Sequence, residues 1–142
     1  MLTKADHTLI ALLRENARSS TTDLARRLGV SRTTVQSRLE RLEKSGAIEG
    51  YTVRLSPAYE KDLVRAHVLL TCLPKLSPQV EARLRTILAV RSLHSVSGHY
   101  DMAAVVEAPS IGELDQVLDQ IGALEGVERT MSSIILSTRI ER

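Results

Sequence analysis

The stretch from residue 20 to 45, STTDLARRLGVSRTTVQSRLERLEKS, constrains the fold of this chain most, because it specifies two short helices joined by a tight turn. Ser20 is suited to cap the first helix, with Asp23 as the acidic member of a capping-box-like pair. Gly29 is suited to end that helix in a left-handed conformation, and Ser31 to cap the second. The apolar residues that recur at helical spacing are Leu24, Ala25, Leu28, Val35, Leu39 and Leu42. This pattern predicts a helix-turn-helix.

The polar side of the second predicted helix carries short hydroxyls, an amide and long cations, the groups that reach base edges and phosphates in a major groove. The predicted DNA-binding residues are Ser31, Arg32, Thr33, Gln36, Ser37, Arg38, Arg41 and Lys44. Arg32 and Gln36 are expected to contact bases, and the remaining cations to contact phosphates. Glu40 and Glu43 are expected to face away from phosphate or to pair with neighbouring arginines. The alternative is an amphipathic surface helix whose charges are merely solvated, but a capped helix and a glycine turn in register favour DNA binding.

Positive charge is concentrated in the part of the chain that contains this motif. Residues 1–60 hold ten Lys/Arg and seven Asp/Glu, whereas residues 61–142 hold nine Lys/Arg and ten Asp/Glu. The net charge of the whole chain is +2. So modest an excess suits DNA binding through a patch and through more than one subunit. Three tyrosines are the only aromatic residues, so the chain lacks the stacking platforms with which proteins grip single strands or RNA loops. Double-stranded DNA is therefore the predicted partner.

The residues on either side of the motif complete a predicted N-terminal domain over residues 1–55. Thr3 and Asp6 are spaced as a capping box for a first helix. Its apolar side is formed by Leu9, Ile10, Leu12 and Leu13. Three short helices in succession are typical of a winged-helix-like unit. The alternating segment AIEGYTVRL at residues 47–55 is predicted to be a strand, either a wing or the connection onward, and residues 56–63 are predicted to be a linker.

From residue 64 the pattern changes to strands alternating with helices. Strands are predicted at residues 64–73, 90–96, 102–106 and 127–136. Ser77, as a cap before Pro78, predicts the start of one helix. Ser110 with Glu113 predicts the start of the other as a capping box, and its inward residues are expected to be Ile111, Leu114, Leu118 and Ile121. The order βαββαβ over residues 64–142 predicts an α+β fold, a four-stranded antiparallel sheet of the ferredoxin-like type with both helices on one face.

The other face of this sheet predicts a homodimer. Apolar residues such as Leu69 and Ile134 would otherwise be exposed to solvent, and packing against a second subunit is the simplest way to bury them. No apolar run approaches the length of a membrane span, and the N-terminal MLTKADHTL lacks the hydrophobic stretch of a signal peptide. Cys72 has no partner for an intrachain disulfide, as is usual in a reducing cytoplasm. A cytoplasmic location without membrane association is therefore expected.

Taken together, these residues resemble the Lrp/AsnC, or feast/famine, family of bacterial and archaeal transcription regulators. The resemblance covers nearly the whole chain and is closest in RENAR, DLA, LGVS and RLERLEKSGAIEGY of the first half. In the second half, SGHYDM (97–102) stands at the family's Gly-x-Tyr-Asp turn, and LEGVERT (124–130) precedes the last strand. The resemblance implies a dimer, often assembled into an octamer, that binds operators upstream of amino-acid metabolism genes and responds to a small effector, commonly an amino acid.

By position, the resemblance assigns Gly98, Tyr100 and Asp101 to effector binding. The chemistry of this turn suits a zwitterion: Gly98 permits close backbone approach, so that free amides meet a carboxylate, and Asp101 is able to take an ammonium. The alternative is a simple hairpin turn, in which Asp101 accepts backbone amides and Tyr100 packs at the subunit interface. No cofactor, metal ion or catalytic residue is expected.

Two other functions compete with this interpretation. Certain haem-biosynthesis decarboxylases resemble the same family, and His94 and His99 are close enough in sequence to approach around one hairpin. However, the four histidines are scattered, and neither a nucleophile elbow nor a phosphate loop is present. An RNA-recognition module shares the βαββαβ order, but it requires exposed aromatic residues on its central strands, and RSLHSVSG has none.

Overall fold

Six helices, four strands and one 3-10 turn make up the computed structural model, which describes residues 1–142. The helices are α1 (Lys4–Glu15), α2 (Thr21–Leu28), α3 (Arg32–Lys44), α4 (Pro57–Glu60), α5 (Ser77–Thr86) and α6 (Ile111–Gly122). The strands are β1 (Val64–Cys72), β2 (Val90–Ser95), β3 (Met102–Ala108) and β4 (Val127–Ile134), and the 3-10 turn is Pro74–Leu76. They form two units, residues 1–54 and 55–142, each with its own hydrophobic core. None of the helices has the length and apolar character needed to span a membrane.

The three helices of the first unit each begin at a capping hydroxyl, as the sequence predicts. The caps are Thr3, Ser20 and Ser31, and each accepts the backbone N–H three residues further on. At α1 the capping box is complete, because the Asp6 carboxylate also accepts the Thr3 N–H at 2.8 Å. At α2 the expected acidic partner, Asp23, pairs with Arg26 instead, at 2.5 Å.

A Schellman motif ends α2 and turns the chain toward α3. Gly29 has a φ of +66°, its N–H donates to the Arg26 carbonyl, and the N–H of Val30 donates to the Ala25 carbonyl. This turn lets α2 and α3 share one core with α1. The buried residues of that core are Leu9, Leu12, Leu13, Leu24, Ala25, Val35 and Leu42. The predicted helix-turn-helix is confirmed.

The predicted strand at residues 47–55 is wrong for this chain. Ile48 instead packs against the N-terminal core, and its N–H donates to the Leu42 carbonyl at 3.0 Å. Beyond it, Tyr51, Val53 and Leu55 are exposed. A strand is held by hydrogen bonds to a neighbouring strand, and the only sheet is formed by the four strands of the second unit. An alternating pattern without such a neighbour does not produce a strand.

The second unit is the predicted ferredoxin-like sheet. Its strand order is β2-β3-β1-β4, and every pair is antiparallel. One face is buried, because alternate residues of β1 and β3 share a core with Val80 and Leu84 of α5 and with Leu114 and Ile121 of α6. The sheet residues of that core are Ala66, Val68, Leu70, Cys72, Met102, Ala104, Val106 and Ala108. The opposite side, which we call the open face, has Leu69, Ala103, Val105 and Met131 at its centre.

Three side chains of this unit differ from expectation. Ser77 does not cap α5, because the 3-10 turn before it already places Ser77 in a helical conformation. Ile111 is 64% exposed, since it is the first residue of α6 and precedes the turn that reaches the core. Ile134 pairs with Ala66 and therefore lies on the helix side of the sheet, not on the open face.

Candidate DNA-binding surface and effector site

Helix α3 is fixed by its buried side and presents its polar side to solvent. Val35 and Leu42 are both fully buried in the N-terminal core. The Ser31 hydroxyl accepts the Thr34 N–H at 3.2 Å and shares a hydrogen bond with the Thr34 hydroxyl at 2.8 Å, so its structural role is the helix cap. The predicted contact residues that are exposed are Ser31, Arg32, Thr33, Gln36, Ser37, Arg41 and Lys44, while Arg38 is half-buried.

Neither acidic residue of α3 pairs with an arginine, which was one of the two arrangements expected. Glu43 accepts a hydrogen bond from the Tyr51 hydroxyl at 2.8 Å, and this contact raises the pKa of Tyr51 above its usual value. Glu40 is exposed and forms no ion pair. Because it lies one turn from both Gln36 and Lys44, Glu40 places a negative charge within the polar surface itself. The surface is therefore less uniformly basic than the sequence suggested.

Arg41 is held by a partner that sequence reasoning did not find. Its guanidinium lies 2.5 Å from Oδ1 of Asp6, a residue of α1 that has no exposed side-chain surface. The two residues are 35 positions apart in the chain. Since Asp6 also caps α1 through Thr3, one carboxylate connects the start of α1 to the last turns of α3. This contact orients α3 and leaves the Arg41 side chain, which is 51% exposed, only partly available to phosphate.

These contacts hold the pKa of Asp6 well below its ordinary value. The backbone N–H of Thr3 is the main cause, followed by the side chains of Thr3 and Arg41, and together they outweigh the burial that favours the neutral acid. The pKa falls from 3.8 to about 2. Because the folded state binds this proton less readily than the unfolded state, ionised Asp6 stabilises the fold above about pH 4. That stabilisation is lost as the pH falls toward 2.

We expect Asp6→Asn to reduce the melting temperature at pH 6 and to have a much smaller effect at pH 2, where about half of the wild-type carboxyls are protonated. Thermal melts monitored by circular dichroism between pH 6 and pH 2 measure this difference. Asp115→Asn, a change at an exposed carboxylate of α6, is the matched control and is expected to follow the wild type at every pH. A difference in melting temperature between Asp6→Asn and the wild type that stayed constant across this pH range would contradict the lowered pKa of Asp6.

The predicted effector turn has one residue that is already used by the fold. Asp101 accepts the Cys72 N–H on Oδ2 at 2.9 Å and donates its own N–H to the Leu70 carbonyl at 2.9 Å. Its other carboxylate oxygen, Oδ1, makes no hydrogen bond within the chain. Gly98 has a φ of +107° and no atom within 4 Å of where a Cβ would stand. The Asp101 carboxylate thus accepts a backbone N–H, as expected for a simple hairpin turn. The same turn also has open space beside Gly98 and a free acceptor in Oδ1 of Asp101.

Tyr100, the third predicted effector residue, is half-buried and reaches from the turn toward β4. Its hydroxyl lies 3.6 Å from the sulfur of Met131, which faces the open side of the sheet. The aromatic ring therefore borders the end of the open face next to Gly98 and Asp101. The structure brings the three predicted residues to one end of the sheet.

A separate groove of about 460 Å³ lies in the second unit between α5 and the edge strand β2. Its polar rim includes Arg91 and the ion pair between Glu81 and Arg85, whose atoms are 2.8 Å apart. Its floor is apolar, with Leu84 and Met102 among its members. The groove was not predicted from the sequence, because it arises from packing between elements.

The histidines do not form a metal centre. No group of three or more His, Cys, Asp or Glu side chains is placed to hold a metal ion. His67 and His94 both lie on the open face, where His67 is opposite Val105 and His94 is opposite Ala103. His99 is in the exposed turn.

A helix-turn-helix with a solvent-facing polar helix, followed by a ferredoxin-like unit, defines a class of two-domain DNA-binding regulators. Residues 2–49 match the winged helix-turn-helix DNA-binding domain, and residues 65–142 match the Lrp/AsnC ligand binding domain. The chain belongs to the Lrp/AsnC family and is a DNA-binding transcriptional regulator.

The chain is similar to other regulators over most of their length. The transcriptional regulator LrpA of Mycobacterium tuberculosis is 37% identical over 94% of this chain and 89% of its own. LrpA of Pyrococcus horikoshii is 34% identical over 96% and 97% of the two chains. The structure of AsnC from Escherichia coli is similar with a TM-score of 0.87 and 26% identity, covering 100% of this chain and 97% of AsnC.

Proposed function

We propose that this regulator reads DNA as a dimer that places the α3 helices of its two subunits in successive major grooves, about 34–36 Å apart or a multiple of that distance. The observation that carries the proposal is the exposure of Arg32, Thr33, Gln36 and Ser37 along one helix whose other side is buried. Residues in the first two turns of a recognition helix meet base edges, and cations near its end meet phosphates. We propose that it acts in the cytoplasm, on duplex DNA.

Selection of binding sites from a pool of random duplexes tests this proposal. The expected result is enrichment of two related half-sites separated by about 10–10.5 base pairs or a multiple. Binding to the selected duplex is expected to survive an increase in salt that removes binding to random DNA. No enrichment, together with binding that salt erases on every duplex, would contradict sequence-specific recognition. Enrichment of one half-site alone would contradict the dimer.

We expect Gln36→Ala to weaken binding to the selected duplex by about 1–3 kcal/mol and to leave binding to random DNA unchanged, because an amide contact to a base edge exists only at the right sequence. Fluorescence anisotropy on both duplexes measures this difference. The matched control is Lys44→Ala, which is expected to weaken binding to both duplexes and to reduce the slope of log affinity against log salt by about 1. An equal loss on both duplexes for Gln36→Ala would show that Gln36 does not contact bases.

The proposed dimer forms through the open face of the sheet. Leu69, Ala103 and Val105 are only half-buried there, although they lie at its centre. An apolar sheet face of this kind is usually covered, and a second copy related by twofold symmetry is the simplest cover. Dimers of this kind are able to assemble further, up to an octamer.

The ligand of the second unit is proposed to be an amino acid bound at the turn formed by Gly98, Tyr100 and Asp101. The free Oδ1 of Asp101 suits an ammonium group, and the space beside Gly98 admits close approach of a ligand to the backbone. The crystal structure of the M. tuberculosis protein, described as a leucine response regulatory protein, is 35% identical and similar with a TM-score of 0.81 over 99% of this chain and 96% of that one. A relative that responds to an amino acid supports the same class of ligand here.

Gly98→Val is expected to abolish the effect of amino acids on DNA binding while binding to the selected duplex survives. The reason is that the valine side chain fills the space through which the ligand would approach the backbone. Anisotropy of the selected duplex, with and without a mixture of the twenty amino acids, measures the response. An unchanged response in the variant would move the ligand site away from this turn.

An enzymatic role is not proposed. The haem-related alternative requires a tetrapyrrole site, whereas the relatives that match this chain over its length are transcriptional regulators. An absorbance band in the Soret region after purification would favour the haem-related function.

A further inference from the structure

The groove between α5 and β2 lies on the helix side of the sheet, away from the open face. Leu84 of α5 is fully buried and Met102 is nearly so, and both line the floor of the groove. Leu93 completes the floor, because it is opposite the buried Ala104 and therefore faces the helices. The volume of about 460 Å³ is within the range of small-molecule sites in proteins. The groove is therefore large enough for a small ligand with an apolar part.

A polar row on α5 forms one wall of the groove. Ser77, Glu81 and Arg85 are spaced four residues apart and therefore lie on the same side of the helix. The Glu81 carboxylate and the Arg85 guanidinium pair at 2.8 Å. Ser77 does not cap α5, which leaves its hydroxyl available to a ligand. The only carboxylate that lines the groove is thus already engaged.

The other wall is the edge strand β2, where a β-bulge displaces Arg91 from the regular ladder. Val90 and Ser92 are opposite consecutive residues of β3, Val106 and Val105, so that Arg91 is the extra residue between them. A bulge redirects the side chain of its extra residue, and Arg91 lines the groove. The residue is exposed and takes part in no ion pair within the chain. Because no strand lies beyond β2, the outer backbone groups of this strand are also without a strand partner.

Hydrogen-bond donors and positive charge therefore predominate around the apolar floor. Ser92 and Ser95 of β2 add two hydroxyls to the one on α5. Because Glu81 and Arg85 compensate each other, the guanidinium of Arg91 is the one charge of the groove without a partner. A carboxylate is suited to bind this guanidinium through two parallel N–H bonds. An ammonium would find no free carboxylate here, so the groove lacks the acceptor that a zwitterion also needs.

We infer that this groove binds a small aliphatic monocarboxylate, with the carboxylate at Arg91 and the hydrocarbon chain on the apolar floor. It is a separate site from the proposed effector turn, since none of Gly98, Tyr100 and Asp101 lines the groove. The two sites also differ in the charge of their ligands, because the groove takes an anion that carries no ammonium. Each methylene of the ligand that is buried on the floor is expected to strengthen binding by up to about fourfold.

Isothermal titration of the full-length protein with butanoate, hexanoate and 4-methylpentanoate tests this inference. The tightest-binding acid is then compared with its carboxamide, which keeps the hydrocarbon chain but lacks the negative charge. The wild type is expected to bind the carboxylate about 10- to 100-fold more tightly than the carboxamide, the usual effect of a charge-assisted hydrogen bond. In Arg91→Gln this preference is expected to disappear, and in Arg91→Lys to return in part. Failure of all three carboxylates to bind, or equal binding of acid and carboxamide, would overturn the inference.

Arg83→Gln is the matched control, because Arg83 is an exposed arginine of α5 that does not line the groove. It is expected to keep the wild-type preference. Equal loss of the preference in Arg83→Gln and Arg91→Gln would show that general positive charge attracts the anion, and would overturn the inference. The bound carboxylate is also expected to stay in place when a mixture of amino acids is added. Its displacement by them would place both ligands in one site and overturn the assignment to the groove, while the effector proposal would stand.

Discussion

Leu42→Ala is expected to lower the free energy of unfolding of residues 1–54 by about 2–5 kcal/mol, the range for removing a large aliphatic side chain from a closed core. Leu42 is fully buried on the inner side of α3, among leucines contributed by α1 and α2. A domain of this size has only about 5 kcal/mol of stability in total. Hydrogen exchange of the amides in α1, α2 and α3 measures the loss.

The matched control for Leu42 is Glu40→Ala, two positions earlier in the same helix. Glu40 is exposed and unpaired, so its replacement by a good helix former is expected to change stability by less than about 0.5 kcal/mol. The amides of the β-sheet belong to a separate core and are expected to keep their protection in both variants. Equal effects of the two substitutions would contradict the packing described for α3.

Gly126→Ala is expected to lower the free energy of unfolding of residues 55–142 by about 2–5 kcal/mol. Gly126 has a φ of +97°, which L-residues adopt at a cost of about 1–2 kcal/mol. An added Cβ would also lie 2.7 Å from the Leu76 Cβ and 3.0 Å from Cγ2 of Val80. Relief of such overlap in a packed core costs about 1–3 kcal/mol more. Denaturant unfolding followed by circular dichroism measures the total.

Gly98→Ala separates the two costs of the Gly126 substitution. Gly98 has a similar φ of +107°, but no atom lies within 4 Å of its added Cβ. Its replacement is therefore expected to cost only the conformational part, about 1–2 kcal/mol. If Gly98→Ala and Gly126→Ala were equally destabilising, the close approach of Leu76 to Gly126 would have no energetic consequence.

Most features that depend on neighbours in the chain were predicted well from the sequence, although Ser77 does not cap α5. The caps at Thr3, Ser20 and Ser31 each need only a hydroxyl and an amide three residues later. The turn at Gly29 likewise depends on hydrogen bonds within six residues. The cores of both units followed from periodicity, because a buried side of a helix or strand repeats at a fixed interval.

Several features that depend on particular contacts between distant residues were missed or wrong. Asp6 was predicted as the capping-box partner of Thr3, but its bond to Arg41 joins two helices and has no local signal. The segment at 47–55 has the alternation of a strand and lacks a partner strand. Ile134 was assigned to the open face, and only the register with Ala66 shows that it lies on the helix side.

The residues proposed for DNA and effector binding also include some that local sequence pointed to and some contacts that only the tertiary structure shows. Residue spacing alone predicted which helix exposes a polar side, and the resemblance to the Lrp/AsnC family pointed to the turn that we propose for a ligand, since each of these is a continuous segment. Only the tertiary structure decided that Arg41 pairs with Asp6 and that Asp101 is held by the Cys72 N–H. The physical reason is that packing and strand register bring together groups that no short pattern in the chain relates.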